Sequence, residues 1–230
     1  MISVVVCTNR EAFIPNILEN FSRQTFEEKE LIVILNSSLI NASAPDLNVR
    51  FVTLPETMSL GECLNQGVKL ATYDYVAKMD DDDFYGADYL EEAYEGLLAT
   101  NADLVGKSTF YIYFQKNHEL RLYNANWEKR WIPKTEKYKT NYFMSGATLV
   151  FRKEVMANIL FPHVNVGEDS HFQQVCFRQG LKMFSLSKSH YAYIRYPSPR
   201  HHHSDVKEHL LRRRSKFVAN LTSIESLNKL

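Results

Sequence analysis

Cysteine, net charge and long apolar runs are all scarce in this sequence. The three cysteines, Cys7, Cys63 and Cys176, lie far apart, which argues against a disulfide framework or a zinc site and favours a reducing compartment. Lysine plus arginine equals aspartate plus glutamate, 27 of each, so no nucleic-acid partner is indicated. No run approaches the ~20 apolar residues of a membrane span, and the N-terminus does not resemble a signal peptide. We expect a cytoplasmic protein and leave open a peripheral contact at the inner face of the membrane.

Through about residue 110 the sequence alternates short apolar runs with amphipathic stretches. The runs predict strands at 2–7, 31–35, 48–54, 75–79 and 102–105, and the stretches predict helices at 14–25, 60–71 and 87–100. This alternation indicates βαβ units and a mainly parallel sheet. Polar clusters follow three of the strands, where ligands bind in such sheets. We therefore predict one ligand site at that edge.

The second half has a different pattern. Alternation over 108–122 predicts antiparallel strands, and 124–141 is irregular. We further predict a strand at 144–152 and helices at 153–159, 170–179 and 205–220. The basic part of the last helix, 210–216, fits either a solvated face or contact with an anionic bilayer.

Four consecutive carboxylates, Asp80, Asp81, Asp82 and Asp83, follow the predicted strand at 75–79. Adjacent carboxylates raise one another's pKa unless a cation compensates them. Residues two apart in an extended chain face one side, so Asp80 and Asp82 should point together. Such oxygen ligands suit Mg²⁺ or Mn²⁺ bridging to phosphate. The competing interpretation is a solvated acidic turn before the next helix.

The order and spacing of these motifs resemble those of family 2 glycosyltransferases, over residues 2–196. The landmarks are Thr8-Asn9-Arg10, then Gly61, Asn65 and Gly67, then the acidic loop, Ser145-Gly146 and Gly167-Glu168-Asp169. The resemblance implies the α/β GT-A fold, a mixed but mainly parallel sheet flanked by helices, with a smaller antiparallel region on the acceptor side. It also implies inverting, metal-assisted transfer of a sugar in polysaccharide biosynthesis. The donor would be a nucleoside diphosphate sugar, UDP-linked, and the acceptor a hydroxyl of a glycan or lipid-linked acceptor.

The resemblance assigns roles to individual residues. Asp169 would be the catalytic base with Glu168 in support, although acidic residues at this position also favour a simple helix cap. Asp82 and Asp80 would hold the Mn²⁺ or Mg²⁺, and Asp83 is left to cap the following loop. The donor would be bound by Thr8, Asn9, Arg10, Asn36, Gly61, Asn65, Lys78, Asp80 and Asp81. Asn36 stands where the family usually has an aspartate, and Leu64 where it often has an arginine, so the donor base stays open.

Acceptor contacts are expected at Trp127, Trp131, Ser145 and Gly146, with packing under a loop as the alternative for the tryptophans. His201 or His203 could add a metal ligand, and plain surface histidines are the alternative. By the resemblance, residues 1–204 would be the transferase domain, with a nucleotide-sugar-binding half at 1–107 and an acceptor half at 108–204. A helical tail would cover 205–230. The oligomeric state is not indicated.

Other functions fit the same fold. A sugar-1-phosphate nucleotidyltransferase should carry a glycine-rich phosphate loop after its first strand, and residues 7–11 contain no glycine. A non-catalytic carbohydrate- or nucleotide-binding module would explain the departures at Asn36 and Leu64. The aspartates at 80, 82 and 169 favour an enzyme instead. A retaining transferase is disfavoured by Glu168-Asp169, by resemblance alone.

Overall fold

The computed structural model of the chain describes residues 1–43, 47–197 and 208–229. In chain order its strands are β1 (Ile2–Thr8), β2 (Lys29–Leu35), β3 (Val49–Thr53), β4 (Tyr75–Met79), β5 (Phe84–Tyr85), β6 (Leu104–Gly106), β7 (Phe110–Phe114), β8 (Glu119–Tyr123), β9 (Arg130–Trp131), β10 (Val150–Arg152), β11 (Met183–Ser185), β12 (Tyr191–Arg195) and β13 (Ser215–Asn220). Its α-helices are α1 (Ile14–Arg23), α2 (Leu60–Leu70), α3 (Tyr89–Thr100), α4 (Glu168–Arg178) and α5 (Glu208–Arg213).

The larger sheet has eight strands in the order β3-β2-β1-β4-β10-β6-β11-β9. Strands β3, β2, β1 and β4 run parallel, and β10 is antiparallel to both of its neighbours. The central strands are buried on both faces because their residues are almost all apolar, as in parallel sheets generally. Helices cover both faces, so the predicted mixed, mainly parallel α/β fold is confirmed.

The smaller sheet has five strands in the order β13-β8-β7-β12-β5. Its β7–β8 pair is the antiparallel hairpin predicted within 108–122. Strand β5 follows the acidic loop directly and pairs with β12. The two sheets therefore meet at the aspartate cluster, which lies between the end of β4 and the start of β5.

The strand register brings three polar segments to one edge of the larger sheet. Val6 of β1 lies opposite Met79 of β4, and Thr8 opposite Leu35 of β2. Asn36 directly follows β2 and Asp80 directly follows β4. Both residues therefore lie beside the end of β1. Helix α2 packs closely on this sheet because Gly67 has no side chain. A Cβ added at Gly67 would lie 2.4 Å from Val5 Cγ1.

Two predicted elements in the second half are only partly confirmed. Of the helix predicted over 205–220, the described part begins at residue 208: it is helical as α5, whereas residues 215–220 form β13, which pairs antiparallel with β8. The amphipathic pattern suggested a helix, but pairing with an open edge of the smaller sheet overrides local propensity. The strand predicted over 144–152 is shorter, because a 3₁₀ turn occupies Gly146–Thr148 before β10.

Within residues 1–43, 47–197 and 208–229, no helix is both long enough and apolar enough to cross a membrane.

Candidate active site

A cleft of about 480 Å³ opens at the edge where β1, β2 and β4 end. Most of the residues predicted to bind the donor or to act in catalysis line it: Thr8, Asn9, Arg10, Asn36, Lys78, Asp80, Asp81, Asp82, Glu168 and Asp169. Other lining residues were not predicted from the sequence, among them Cys7, Glu56, Met58, Asn165 and Tyr193. The cleft has the size and polarity of a small-ligand site.

The three aspartates that face the cleft have different partners. Asp80 is 41% exposed, and the Nζ of Lys78 donates to its Oδ1 over 2.5 Å. Asp81 is buried and accepts from Thr8 Oγ1 at 2.5 Å and from Arg10 Nε at 3.1 Å. Asp82 Oδ2 lies 3.0 Å from Arg10 Nη2. Each of these three carboxylates therefore has a cation beside it, unlike the solvated acidic turn of the competing interpretation.

Asp83 points away from the cleft into the protein. Its carboxylate accepts from the Tyr191 hydroxyl at 2.6 Å and from the Ile194 amide at 3.0 Å. Burial raises the pKa of Asp83, and the charges of Asp82 and Asp80 add to that effect. The expectation that Asp83 caps the following loop is wrong, because the donors of β12 are the groups it meets.

Helix α1 fixes the backbone of the acidic loop. Asn16 Nδ2 donates to the Asp81 carbonyl at 2.7 Å, and Asn20 Nδ2 donates to the Asp83 carbonyl at 2.8 Å. These amides lie four residues apart, so they share one face of the helix. Two asparagines at that spacing could have indicated these contacts with the loop from the sequence, and they were not predicted.

Lys78 supplies a buried positive charge to the cleft. Burial alone would lower the pKa of Lys78, but the carboxylates of Asp80, Glu168 and Asp169 raise it well above its ordinary value. The lysine therefore stays charged. It attracts carboxylates of both the acidic loop and the start of α4.

Glu168 and Asp169 form the first turn of α4, after Gly167 in the left-handed conformation at φ 80°. Burial raises the pKa of Glu168 to about 7, opposed by Lys78 and assisted by Asp169 and Asp80. Asp169 Oδ1 accepts from the amide of the next residue, Ser170, at 2.6 Å, and the N-cap residue Gly167 provides no side-chain cap. Asp169 Oδ2 lies 1.7 Å from where a Cβ on Gly146 would be, so the carboxylate rests on that glycine. Asp169 thus contacts the backbone of the first turn of α4 and also lines the cleft.

Gly61 and Asn65 lie outside the cleft lining and pack against the segment that leads to α4. Asn65 exchanges two hydrogen bonds with the backbone of Phe161, at 2.9 and 3.0 Å. A Cβ on Gly61 would lie 1.8 Å from the Pro162 carbonyl oxygen. Both residues position that segment, and the structure shows no contact of either with the cleft.

None of the four predicted acceptor residues is among those that line the cleft. Trp127 packs on Tyr142 with ring centres 5.2 Å apart, and Trp131 packs on Phe184 at 5.3 Å. Neither tryptophan lines the cleft, and packing accounts for Trp127. Ser145 Oγ lies 3.1 Å from the Tyr191 hydroxyl, next to Gly146 and the base candidate. His201 and His203 lie outside the described residues.

Carboxylate oxygens of Asp80 and Asp82 suit the chemistry of Mn²⁺ or Mg²⁺. In the part of the chain that is described, no group of three or more histidine, cysteine or acidic side chains is placed to hold a metal. A Mg²⁺-like ion that binds through one or two carboxylates takes its other ligands from phosphate and water. The half-exposed Asp80 and its neighbour Asp82 fit that arrangement.

Comparison with known proteins identifies the class that this fold and cleft define. The family described as "Glycosyl transferase family 2" matches residues 3–160. The chain therefore belongs to glycosyl transferase family 2.

The individual relatives have either low sequence identity to this chain or a short region of similarity. "Glycosyltransferase GlyA" of Streptococcus pneumoniae serotype 4 is 23% identical over 208 residues, covering 83% of this chain and 30% of the relative. "Poly-beta-1,6-N-acetyl-D-glucosamine synthase" of Staphylococcus aureus strain COL is 33% identical over 85 residues, covering 34% of this chain and 21% of the synthase. The chain thus spans less than a third of the length of these relatives.

Solved structures share the fold. S. aureus TarS 1-349 in complex with UDP-GlcNAc has a TM-score of 0.68 and 17% identity, over 86% of this chain and 59% of that one. Mannosyltransferase PcManGT from Pyrobaculum calidifontis, in complex with GDP-Man and Mn2+, has a TM-score of 0.62 and 19% identity, over 88% and 58%.

Proposed function

We propose that the cleft binds a UDP-linked sugar and that the protein transfers this sugar, with inversion, to a hydroxyl of a glycan or lipid-linked acceptor. The observation that carries the proposal is the shared cleft of the Asp80–Asp82 loop and Glu168-Asp169. Such a transfer needs carboxylates that hold a metal for the diphosphate and a carboxylate base, and the common cleft of these residues supports both roles.

The nucleotide would lie along the ends of β1 and β2, against Thr8, Asn9 and Asn36. Asn36 Nδ2 donates to the Pro55 carbonyl at 2.7 Å, which orients its Oδ1 as an acceptor. Uracil carries an N–H group that can donate a hydrogen bond to this oxygen. The TarS complex with UDP-GlcNAc supports a UDP donor, whereas PcManGT binds GDP-Man, so the base has to be tested.

The chemistry follows from the carboxylates and cations of the cleft. Asp169 takes the proton of the acceptor hydroxyl as that oxygen bonds to the anomeric carbon, and the bond to the diphosphate breaks with its electron pair leaving on oxygen. Attack opposite the leaving group inverts the anomeric centre. Lys78 adds fixed positive charge beside the loop. Mn²⁺ or Mg²⁺, held by Asp80 and Asp82, would neutralise the charge that develops on the diphosphate.

The domain organisation is part of the proposal. Residues 1–107 would form the donor half and 108–204 the acceptor half, with the acceptor entering on the side of Ser145 and Gly146. That side contains the 3₁₀ turn at Gly146–Thr148, and the Asp169 carboxylate lies against Gly146. Polysaccharide synthesis is the process in which we place the activity, in line with the staphylococcal synthase among the relatives.

Thermal unfolding tests donor binding. UDP, GDP and dTDP are each added with and without Mn²⁺ to the wild type, to Asp82→Asn and to Asp74→Asn, an exposed aspartate at the other end of β4. A ligand at about 100 times its dissociation constant adds about 2.7 kcal/mol of stability. We expect UDP with Mn²⁺ to stabilise the wild type and Asp74→Asn but not Asp82→Asn. If none of the three nucleotides stabilises the wild type, the sugar-nucleotide proposal fails.

A further inference from the structure

Arg10 is the cation that holds the buried part of the acidic loop. Its Nε and Nη2 meet the two carboxylate oxygens of Asp81, and the same Nη2 lies 3.0 Å from Asp82 Oδ2. The guanidinium carbon stands 4.4 Å from the centre of the Phe13 ring. Arg10 is therefore fixed in the wall of the cleft, between the end of β1 and the loop.

The contacts of Arg10 with Asp81 and with Asp82 are unequal. Asp81 receives both arms of the guanidinium and is itself fixed by Thr8 Oγ1, whose hydroxyl also accepts from the Arg10 amide at 3.0 Å. Bidentate pairing of this kind is the strongest geometry between arginine and a carboxylate. The Nη2 that contacts Asp82 is one that Asp81 already holds. The contact with Asp82 can therefore break while Arg10 stays anchored on Asp81 and Phe13.

Lys78 provides the contrast on the other side of the loop. Its side chain is almost fully buried, whereas the carboxylate of its partner Asp80 is 41% exposed to the cleft. Asp80 thus keeps oxygen surface that a ligand can reach without displacing the lysine. Among the described residues, Asp82 is the proposed metal ligand that an arginine contacts, with Arg10 Nη2 3.0 Å from its Oδ2.

We propose that Arg10 and the divalent ion compete for Asp82, so that Arg10 serves as the counter-ion of Asp82 in the free protein and gives up this contact when the metal binds. A metal coordinates a carboxylate oxygen at about 2.0–2.6 Å, which would bring a double positive charge against the guanidinium. Like charges this close repel, so both cannot occupy Asp82 favourably. This inference rests on the proposed function, because it concerns the metal of the same cleft.

The proposal couples the metal to the donor. Once Nη2 leaves Asp82, it remains at the cleft wall and can donate to a diphosphate oxygen, which arginine binds well. A donor nucleotide that draws Nη2 from Asp82 makes that carboxylate available to the metal. Nucleotide and metal should therefore strengthen each other's binding in the wild type, and part of this cooperativity should depend on Arg10.

The experiment measures free Mn²⁺ by electron paramagnetic resonance during titration of the full chain, without and with UDP. The variants are Arg10→Gln, Arg10→Lys, Asp82→Asn and Arg23→Gln. Arg23 is the matched control because its guanidinium is similarly buried and lies over Phe84, but its ion pair is with Glu19. The thermal midpoint in EDTA and in Mn²⁺ is recorded for each variant as a second readout.

Without nucleotide, Arg10→Gln should bind Mn²⁺ at least about fivefold more tightly than the wild type, the lower end of ordinary coupling between sites. Arg10→Lys and Arg23→Gln should stay near the wild-type dissociation constant, and Asp82→Asn should lose binding. The tightening of Mn²⁺ binding by UDP should be smaller in Arg10→Gln. Its midpoint should be lower than that of the wild type in EDTA and should recover in Mn²⁺.

Two results overturn the inference, and they differ in what they leave standing. If the wild type binds Mn²⁺ through Asp82 but Arg10→Gln binds it equally or more weakly, competition is refuted and the proposed metal-assisted transfer survives. If no variant and no wild-type protein shows saturable Mn²⁺ binding, with or without UDP, the metal in the proposed function fails together with the inference.

Discussion

The carboxylate of Asp169 occupies the space in which a side chain at Gly146 would begin. An ideal Cβ on Gly146 would lie 1.7 Å from Asp169 Oδ2 and 2.6 Å from Asp169 Cβ. This contact joins the Ser145-Gly146 motif to the Glu168-Asp169 motif, which lie more than twenty residues apart in the sequence. The contact explains why a glycine stands at position 146, since only a hydrogen atom fits there beside the carboxylate of the proposed base.

Replacing this glycine should displace the base without removing it. In Gly146→Ala the new methyl group has to push Asp169 away, and a shift of about 1 Å can cost a factor of about 10² in rate. We expect kcat to fall by about that factor while UDP binding changes little. Gly96→Ala, on helix α3, is the control. A Cβ at Gly96 would meet only the end of the Leu186 side chain, which can move. Equal kcat values in the two variants would refute the seating of Asp169 on Gly146.

The two acidic residues of α4 should differ in their kinetic effects. Asp169→Asn removes the proposed base and should lower kcat by about 10²–10⁴, with the dissociation constant for donor unchanged. Glu168→Gln should cost less, because Glu168 supports the site beside Lys78. Because the pKa of Glu168 is raised to about 7, it is the rival candidate for the base. A larger loss of kcat in Glu168→Gln than in Asp169→Asn would transfer that role to Glu168.

Glu168 should make the stability of the protein depend on pH. Its pKa is about 7 in the folded state against 4.5 for an ordinary glutamate, so the folded state binds the proton more tightly. The contribution of Glu168 is therefore fully present below pH 4.5 and is lost as the pH rises through 7. At about 1.4 kcal/mol per pKa unit, the total is roughly 3 kcal/mol.

The measurement is the free energy of unfolding of wild type and Glu168→Gln from pH 5 to 8, in EDTA. Other groups titrate in both proteins, so the difference between the two curves isolates Glu168. We expect the wild type to lose stability relative to Glu168→Gln as the pH rises. Parallel curves would show that the environment of Glu168 does not raise its pKa.

The buried pair of Asp83 and Tyr191 should contribute to stability rather than to chemistry. Tyr191→Phe leaves the buried Asp83 carboxyl without one of its two donors, which should cost about 1–3 kcal/mol of unfolding free energy. Tyr111→Phe, on the neighbouring strand β7, is the control and should cost less. Urea unfolding measures both. A loss in Tyr191→Phe no larger than in Tyr111→Phe would mean that the hydrogen bond adds no net stability.

The first half of the fold was predictable because its signals are local. Continuous apolar runs such as 31–35 are found in buried parallel strands, and the polar residues after them had to meet at one edge. The acidic loop and most of the cleft follow from that rule. The strand predicted at 75–79 matches β4 at both ends, and it fixes where the loop begins.

The features that were not predicted depend on contacts between distant residues. Strand β13 exists because the edge of β8 is there to pair with it, which no local pattern at 215–220 reveals. The pairing of Arg10 with Asp81 and the contact of Asp169 with Gly146 each join segments far apart in the sequence. Asn65 was assigned to the donor by its place in a motif, whereas its amide holds the backbone of Phe161.

Release of nucleoside diphosphate tests the central claim most directly. UDP-, GDP- and dTDP-sugars are incubated with Mn²⁺ and a panel of glycan and lipid-linked acceptors, and the product anomer is read by NMR. We predict that the wild type releases UDP and forms a product of inverted configuration, and that Asp169→Asn, folded and still binding UDP, does neither. Release from none of the donors by the folded wild type, or release at an equal rate by Asp169→Asn, would contradict the account.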